Sequence, residues 1–453
     1  HLMIMRLWHQ WKQDHLLQGV VRNSSYLFSS NTLAIALSML QGIFAARLLG
    51  KEGFGILAAS VIPLVSNIHR LLSFRMSELV VKYLGEYLPN QERERAGALV
   101  KAAGLAEALT SLAAFALLML AAPLAAQYLV KQAWTVDLFR IYGLVLLGNL
   151  LYETSSGVLH SFRRFDRISQ VNLVQSLLTA GLIFLAFLRQ GEMLDVLLAY
   201  LAGKTLAGAA LFGLAWRTLR RELGGGWWRA SLSRLPPLRE LAHFALNTNL
   251  QGTVNLVVRD SETLLITWLR SPVEAGYFKI AQGVINLVML PIEPFIATTY
   301  AEISRTIGQK QYALTQSLLK RVSAISGAWT LAAGGGLALL GWWLVPLLYG
   351  QEYAPAYPAL LALLVGYGLA NSANWNRPLL LALGMPGFPL LVSVLVGSVK
   401  TVLTLVATPS GGYVAEAAIV SGYLVVSVGI ILWRGLGELS RRGQGVLVSE
   451  AAP

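Results

Sequence analysis

The chain has 453 residues, of which 55% are hydrophobic and only 13% charged, with a formal net charge of +13 and no cysteine. Ordinary soluble domains carry about 25% charged residues, so this composition excludes a soluble globular class and describes a membrane chain. The missing cysteines exclude disulfides, thiolate nucleophiles and Cys-ligated metals, and the excess of Lys and Arg reads as a membrane orientation signal, not as a nucleic-acid footprint.

The first 22 residues carry Arg6, Lys12 and Arg22 and read as an amphipathic surface segment, not a cleavable signal. Beyond them come runs of about 20 apolar residues, the length a helix needs to cross the hydrocarbon. Twelve are found, at 26–49, 54–76, 98–121, 136–158, 168–188, 193–216, 248–270, 276–298, 323–346, 359–383, 387–407 and 413–433. Twelve crossings put both termini on one side. That side carries 23 of the 36 Lys and Arg and the opposite side about seven, which makes the termini cytoplasmic in an inner (cytoplasmic) membrane.

The organisation expected is a surface segment at 1–22, a six-helix bundle at 23–216, a basic connector at 217–240, a second six-helix bundle at 241–433 and a cytoplasmic tail at 434–453. The connector, "WRTLRRELGGGWWRASLSRLPPLRE", combines basic residues with a Gly run and a Pro pair. The two bundles look like copies. A shift of 221 residues lays Gly55 on Gly276, so that the hairpin "RLLGKEGFGILAAS" falls on "WLRSPVEAGYFKIAQ", and places Glu153 over Asn374. Six spans per copy is an even number, so both copies share one orientation and are related by an axis along the membrane normal. The expected fold is therefore all-α, with twelve transmembrane helices in two parallel six-helix bundles around a central cavity.

Motifs of catalysis are not found. Gly203, Lys204 and Thr205 imitate the end of a phosphate loop, but the first glycine of that motif would fall on Leu198, inside a span. The histidines His1, His9, His15, His69, His160 and His243 are dispersed, with no pair at ligand spacing. No enzyme, metal or cofactor is expected. The informative residues are ionisable ones inside spans, each costing about 2.5 to 3.5 kcal/mol at a helix centre unless it faces protein or water. Arg259, followed by Asp260, lies twelve residues before Ser271, about 18 Å along a helix. Arg75 and Glu78 are spaced to pair on one helix face. Arg377 lies about two turns inside the tenth span and Lys400 inside the eleventh. An arginine fork suits a phosphate, which nominates Arg259 and Arg377 for function. Lys204 and Lys400 read as structural ions, and Arg75 with Glu78 fits either role. Glu107, Glu153, Glu293 and Glu416 serve either as proton carriers or as satisfied polar contacts.

Several segments carry a family resemblance. "ARLLGKEGFGILAAS", "LLSFRMSELVVKYLGEY", "GVLHSFRRFD" and "RDSETLLITWLRSPVEAGYFKIAQ" resemble the multidrug/oligosaccharidyl-lipid/polysaccharide (MOP) exporter superfamily, in its polysaccharide biosynthesis branch with the Wzx-type O-antigen flippases. The resemblance covers nearly the whole chain, through diffuse motifs. It implies a flippase moving a polyprenyl-pyrophosphate-linked oligosaccharide from the cytoplasmic to the outer leaflet by alternating access, through a cationic cavity. Implied partners are membrane lipids, that glycolipid, glycosyltransferases and a polysaccharide polymerase, with no nucleic acid. The matched segments contain Arg75, Glu78 and Asp260. Arg259 and Arg377 are nominated on physical grounds, with Asn374 and Trp375 offered for sugar contacts. Asp260, Glu78 and Glu153 are candidates for ion pairing or coupling. Twelve spans, not fourteen, set the chain apart from the lipid-linked peptidoglycan precursor flippase. Two alternatives stay open: a cation-coupled multidrug exporter on the same fold, which the acid-free first span disfavours, and a non-transporting scaffold of a glycan assembly complex.

Overall fold

The computed structural model describes the backbone of residues 15–73 and 75–450. It is helical throughout, with no strand among the described residues. The surface segment expected at 1–22 falls outside them as far as residue 14, and the backbone is helical from His15.

The chain packs as two compact units. One spans Ala36–Gly276; the other takes the chain from Tyr277 onward together with the beginning of the first helix. This division is made by packing, whereas the division at the connector was made on sequence symmetry. In the first unit α1 (His15–Ile56) leads through a π turn (Leu57–Val61) into α2 (Ile62–Leu72) and α3 (Met76–Tyr87). Then follow α4 (Arg93–Leu124), α5 (Val136–Gly148), α6 (Tyr152–Ser161), α7 (Phe165–Leu188), α8 (Met193–Glu222), α9 (Leu238–Asn255), a π turn (Leu256–Asp260) and α10 (Glu262–Leu269). The second unit is built from α11 (Pro272–Met289), α12 (Glu293–Gly308), α13 (Tyr312–Tyr349), α14 (Ala356–Ser372), α15 (Asn376–Ala382) and α16 (Gly387–Glu450).

Among the described residues eight helical stretches are long and apolar enough to cross a membrane. Two of them hide a bend. Gly50 within α1 and Gly412 within α16 both sit at φ 65, the left-handed region, where a residue without Cβ is favoured. Each bend coincides with the boundary between two spans in the sequence reading.

The internal repeat is visible in the backbone. Gln91 and Lys310, Lys131 and Gly350, Arg163 and Gly384, and Gln190 and Gly412 all have left-handed φ, and each pair is separated by 219 to 222 residues. The hydrogen bonds repeat as well. Glu92 N donates to Tyr87 O at 3.1 Å, and Gln311 N to Thr306 O at 2.8 Å; Arg164 N donates to Leu159 O at 2.8 Å, and Met385 N to Leu380 O at 2.9 Å. These are Schellman closures, which satisfy carbonyls left free at a helix end. The interruptions recur too: α2 and α3 are separated at 73–75 and α11 and α12 at 290–292, while α5 and α6 part at 149–151 and α14 and α15 at 373–375.

Close approach of small residues holds each unit together, as expected where lipid removes most of the hydrophobic drive between helices. A Cβ on Gly157 would lie 2.9 Å from the Ser77 Cα, and one on Gly366 would lie 2.5 Å from the Ser421 Cα. The hairpin glycines behave likewise: any Cβ on Gly55 would collide with the Pro272 carbonyl, and one on Gly276 would lie 3.3 Å from the Gly55 Cα. The two residues matched by the 221-residue shift thus touch through their backbones. In the first unit Tyr83, Leu84, Leu99, Val158 and Leu211 form a buried core joining α3, α4, α6 and α8. In the second, Ile303, Leu319, Trp375, Leu379 and Leu439 join α12, α13, α15 and α16.

Candidate functional site

The charged residues of the first unit gather where its helices are interrupted. α2 ends at Leu72, and Arg75, which precedes α3, takes a left-handed conformation at φ 48, a strained state for a residue with a Cβ. α9 ends in the π turn that carries Arg259 and Asp260. A π turn adds a residue to the helical repeat and is found mostly at functional positions.

These elements are tied by polar contacts. Arg70 Nη1 donates to Asp260 Oδ2 at 2.6 Å. Asn67 Nδ2 donates to the Asp260 carbonyl at 3.3 Å, and Asn249 Nδ2 to the Leu71 carbonyl at 3.2 Å. Arg75 Nη1 donates to Glu78 Oε1 at 2.6 Å, the pair expected from their spacing. The Arg75 side chain runs over α9, with Nε 3.2 Å from where a Cβ on Gly252 would stand. Arg259 is exposed and makes no ion pair among the described residues. Arg70 and Arg75 are therefore charge-balanced by acids, while Arg259 offers its guanidinium outward. Exposure leaves the Arg259 guanidinium accessible to water or to an anion.

Glu107 has a different function. It is only 1% exposed, and its Oε1 and Oε2 accept hydrogen bonds from the backbone N–H groups of Glu153 at 2.7 Å and Thr154 at 2.8 Å. A carboxylate on the first N–H groups of a helix satisfies orphan donors and meets the positive end of the helix dipole. Glu107 thus caps α6 across from α4. Glu153, on the first turn of α6, accepts a long hydrogen bond from Ser77 N at 3.4 Å, which links α6 to α3.

In the second unit Arg377 lies on the first turn of α15, and its Nη2 donates to Ser393 Oγ at 2.9 Å. Asn374 Nδ2 donates to Ser326 Oγ at 2.8 Å and to the Asn371 carbonyl at 3.1 Å, and Trp375 Nε1 donates to Ser323 Oγ at 2.6 Å. Asn374 and Trp375 are buried, and their donors point at α13. Lys400 is also buried, with Nζ 6.0 Å from the Tyr423 ring centroid.

Arg75, Glu78, Asp260, Glu153 and Arg259 therefore share the first unit, and Arg377, Asn374 and Trp375 the second. Two residues were undervalued in the sequence. Arg70, which the sequence does not single out, is the partner of Asp260. Glu107 was read as a proton carrier or a satisfied polar contact; it is the cap of α6, and a lone acid about two and a half turns into the run at 98–121 was the available signal.

Interrupted transmembrane helices carrying ionisable residues are the construction of secondary transporters, and known proteins with this fold agree. The structure superposes on an inward-facing multidrug resistance MATE family transporter of the MOP superfamily with a TM-score of 0.73, at 15% identity, covering 91% of this chain and 96% of that one. It superposes equally well, at 0.73 and 13% identity, on the lipid II flippase MurJ in an inward closed conformation, covering 93% and 91%. At these identities the likeness is one of fold in both cases. The inner membrane protein YghQ of Escherichia coli strain K12 is 22% identical over 350 residues, covering 77% of this chain and 97% of YghQ.

Fold and comparisons together describe a multi-pass membrane protein whose fold is shared with these MOP-superfamily structures. Residues 20–307 match the polysaccharide biosynthesis protein family, and the chain belongs to that family.

Proposed function

We propose that the protein flips a polyprenyl-pyrophosphate-linked oligosaccharide from the cytoplasmic to the outer leaflet of the inner membrane, by alternating access, for assembly of a cell-surface polysaccharide such as O-antigen. In this reading the chain crosses the membrane twelve times in two six-helix halves of like orientation, with both termini cytoplasmic. Glycosyltransferases and a polymerase act before and after it. The observation that carries the proposal is the exposed, unpaired Arg259 on a π turn, beside the balanced pairs Arg70–Asp260 and Arg75–Glu78. A planar guanidinium binds the oxygens of a pyrophosphate through two parallel charge-assisted hydrogen bonds. Arg75 becomes available to the same anion if Glu78 releases it; in the second unit Arg377 offers a cation of its own. Trp375 and Asn374, whose donors are occupied by α13, take the role of holding α15 and so Arg377 in place. Asp260, Glu78 and Glu153 neutralise the arginines between substrate visits.

The test is translocation of a fluorescent polyprenyl-pyrophosphate-linked oligosaccharide in proteoliposomes. Arg259→Ala is expected to abolish translocation, and Arg259→Lys, which keeps the charge and loses the fork, to retain a small part of it. Undiminished translocation by Arg259→Ala removes this residue from the grip. The multidrug-exporter alternative shares the fold equally; gradient-dependent drug efflux by the purified protein, with no glycolipid movement, would select it. A scaffold would flip nothing.

A further inference from the structure

A second feature of the first unit lies on its exposed apolar side, where the basic connector meets α4 and α8. Leu105, Leu109 and Leu112 on α4 and Phe212 on α8 are exposed, the pattern of a hydrocarbon-facing surface. Between α4 and α8 runs a groove of about 370 Å³, within the roughly 300 to 1,000 Å³ range of ligand sites. Its floor includes Leu151 and Phe212, and Trp216, Trp227 and Trp228 close one end. Trp216 and Trp227 meet edge to face with centroids 5.1 Å apart. Trp227 and Trp228 belong to the connector, which is seated because Gly97 has no side chain: a Cβ there would stand 2.8 Å from the Trp227 carbonyl.

The mouth of this apolar groove is cationic. Lys101 lines it and donates to the Ala230 carbonyl at 3.4 Å, leaving further ammonium donors free of the backbone. Arg220 lies one helical turn beyond Trp216 on the same ridge of α8, and Arg229 stacks 4.8 Å from the Trp228 ring centroid. The acids of these segments are engaged elsewhere, Glu94 by Arg234 at 3.4 Å and Glu222 by Arg164 at 3.9 Å. An apolar slot ending in tryptophans and cations at the headgroup level matches an anionic lipid end to end.

We infer that this groove binds an anionic phospholipid of the cytoplasmic leaflet, with one acyl chain in the slot and the phosphate on Lys101, flanked by Arg220 and Arg229. The site is separate from the arginines assigned to the glycolipid and does not depend on that assignment. Its occupant holds the basic connector against α4.

The experiment uses delipidated full-length protein in neutral detergent, titrated with phosphatidylglycerol or phosphatidylcholine brominated on the acyl chain, with quenching of tryptophan emission as the readout. Wild-type protein is expected to reach half-quenching at a several-fold lower mole fraction of phosphatidylglycerol than of phosphatidylcholine. Replacing Trp216, Trp227 and Trp228 by Phe should remove that component of the signal. Lys101→Gln should bring the two titrations together. Gly104→Leu, at a groove position where an added Cβ meets only ordinary contact at 3.4 Å, should weaken quenching by both lipids. Coincident titrations in the wild type, or a phosphatidylglycerol preference that survives Lys101→Gln, overturns the inference. Equal protection by free glycerol phosphate would show an anion site without a lipid and also overturns it.

Discussion

Glu107 lets a cost be worked from geometry. Both of its carboxylate oxygens are spent on backbone N–H groups of α6, at 2.7 and 2.8 Å, in a buried setting. Hydrogen bonds to a charged group contribute about 1.5 to 3 kcal/mol each, so Glu107→Leu, which leaves both donors without an acceptor, should cost about 3 to 6 kcal/mol. That is a large share of a native stability of about 5 to 15 kcal/mol. At roughly 2 °C per kcal/mol for a large domain, the melting temperature should fall by about 6 to 12 °C. Glu107→Gln keeps one acceptor oxygen and should lose about half as much. The assay is thermal unfolding of purified protein in detergent, followed by fluorescence-detected size exclusion. The order expected is wild type, Gln, then Leu. A Leu variant that melts with the wild type would refute the capping role.

Reversing one member of the Arg70–Asp260 pair, as Arg70→Asp, should impair glycolipid translocation, and adding Asp260→Arg should restore it. Because both side chains are largely exposed, the pair contributes about 0.2 to 1 kcal/mol, so melting temperatures should barely change; impaired transport in both single and double variants would argue against pairing as the function. Gly366→Val must push against the Ser421 backbone and should cost about 1 to 3 kcal/mol, read as early melting. Tyr83, on α3 and outside the candidate spans, is pushed up to about 12 by burial and by its hydroxyl donation to Glu240 at 2.9 Å. The unfolded chain loses this proton near the ordinary value of 10.0, so stability should decline from about pH 10 to 12. Tyr83→Phe should remove that component of the decline, visible as a flatter alkaline stability profile.

Helix positions were legible because a span is a long uniform signal: the run read at 168–188 appears as Phe165–Leu188. The interruptions were not, since three residues of altered backbone leave the hydropathy of a span untouched, as at 149–151 and 373–375. The spacing of Arg75 and Glu78 sufficed to foresee their pair, because contacts within one helix follow from its period. The partner of Asp260 lies 190 residues away, and no local pattern reports such a distance. The repeat shows the same division. Gly55 and Gly276 could be matched by eye, and the same 221-residue shift lays Arg163 on Gly384, but their unlike side chains gave no sign that both take the same left-handed turn.

That last contrast has a practical consequence for handling the protein. Three of the four left-handed helix ends in the later copy are glycine, while the earlier copy meets the same curvature with Gln91, Lys131, Arg163 and Gln190. Those four residues hold a conformation that their Cβ atoms resist, and all four are exposed. They are ready-made points for loosening or hardening the amino-terminal copy independently of its twin, one helix end at a time.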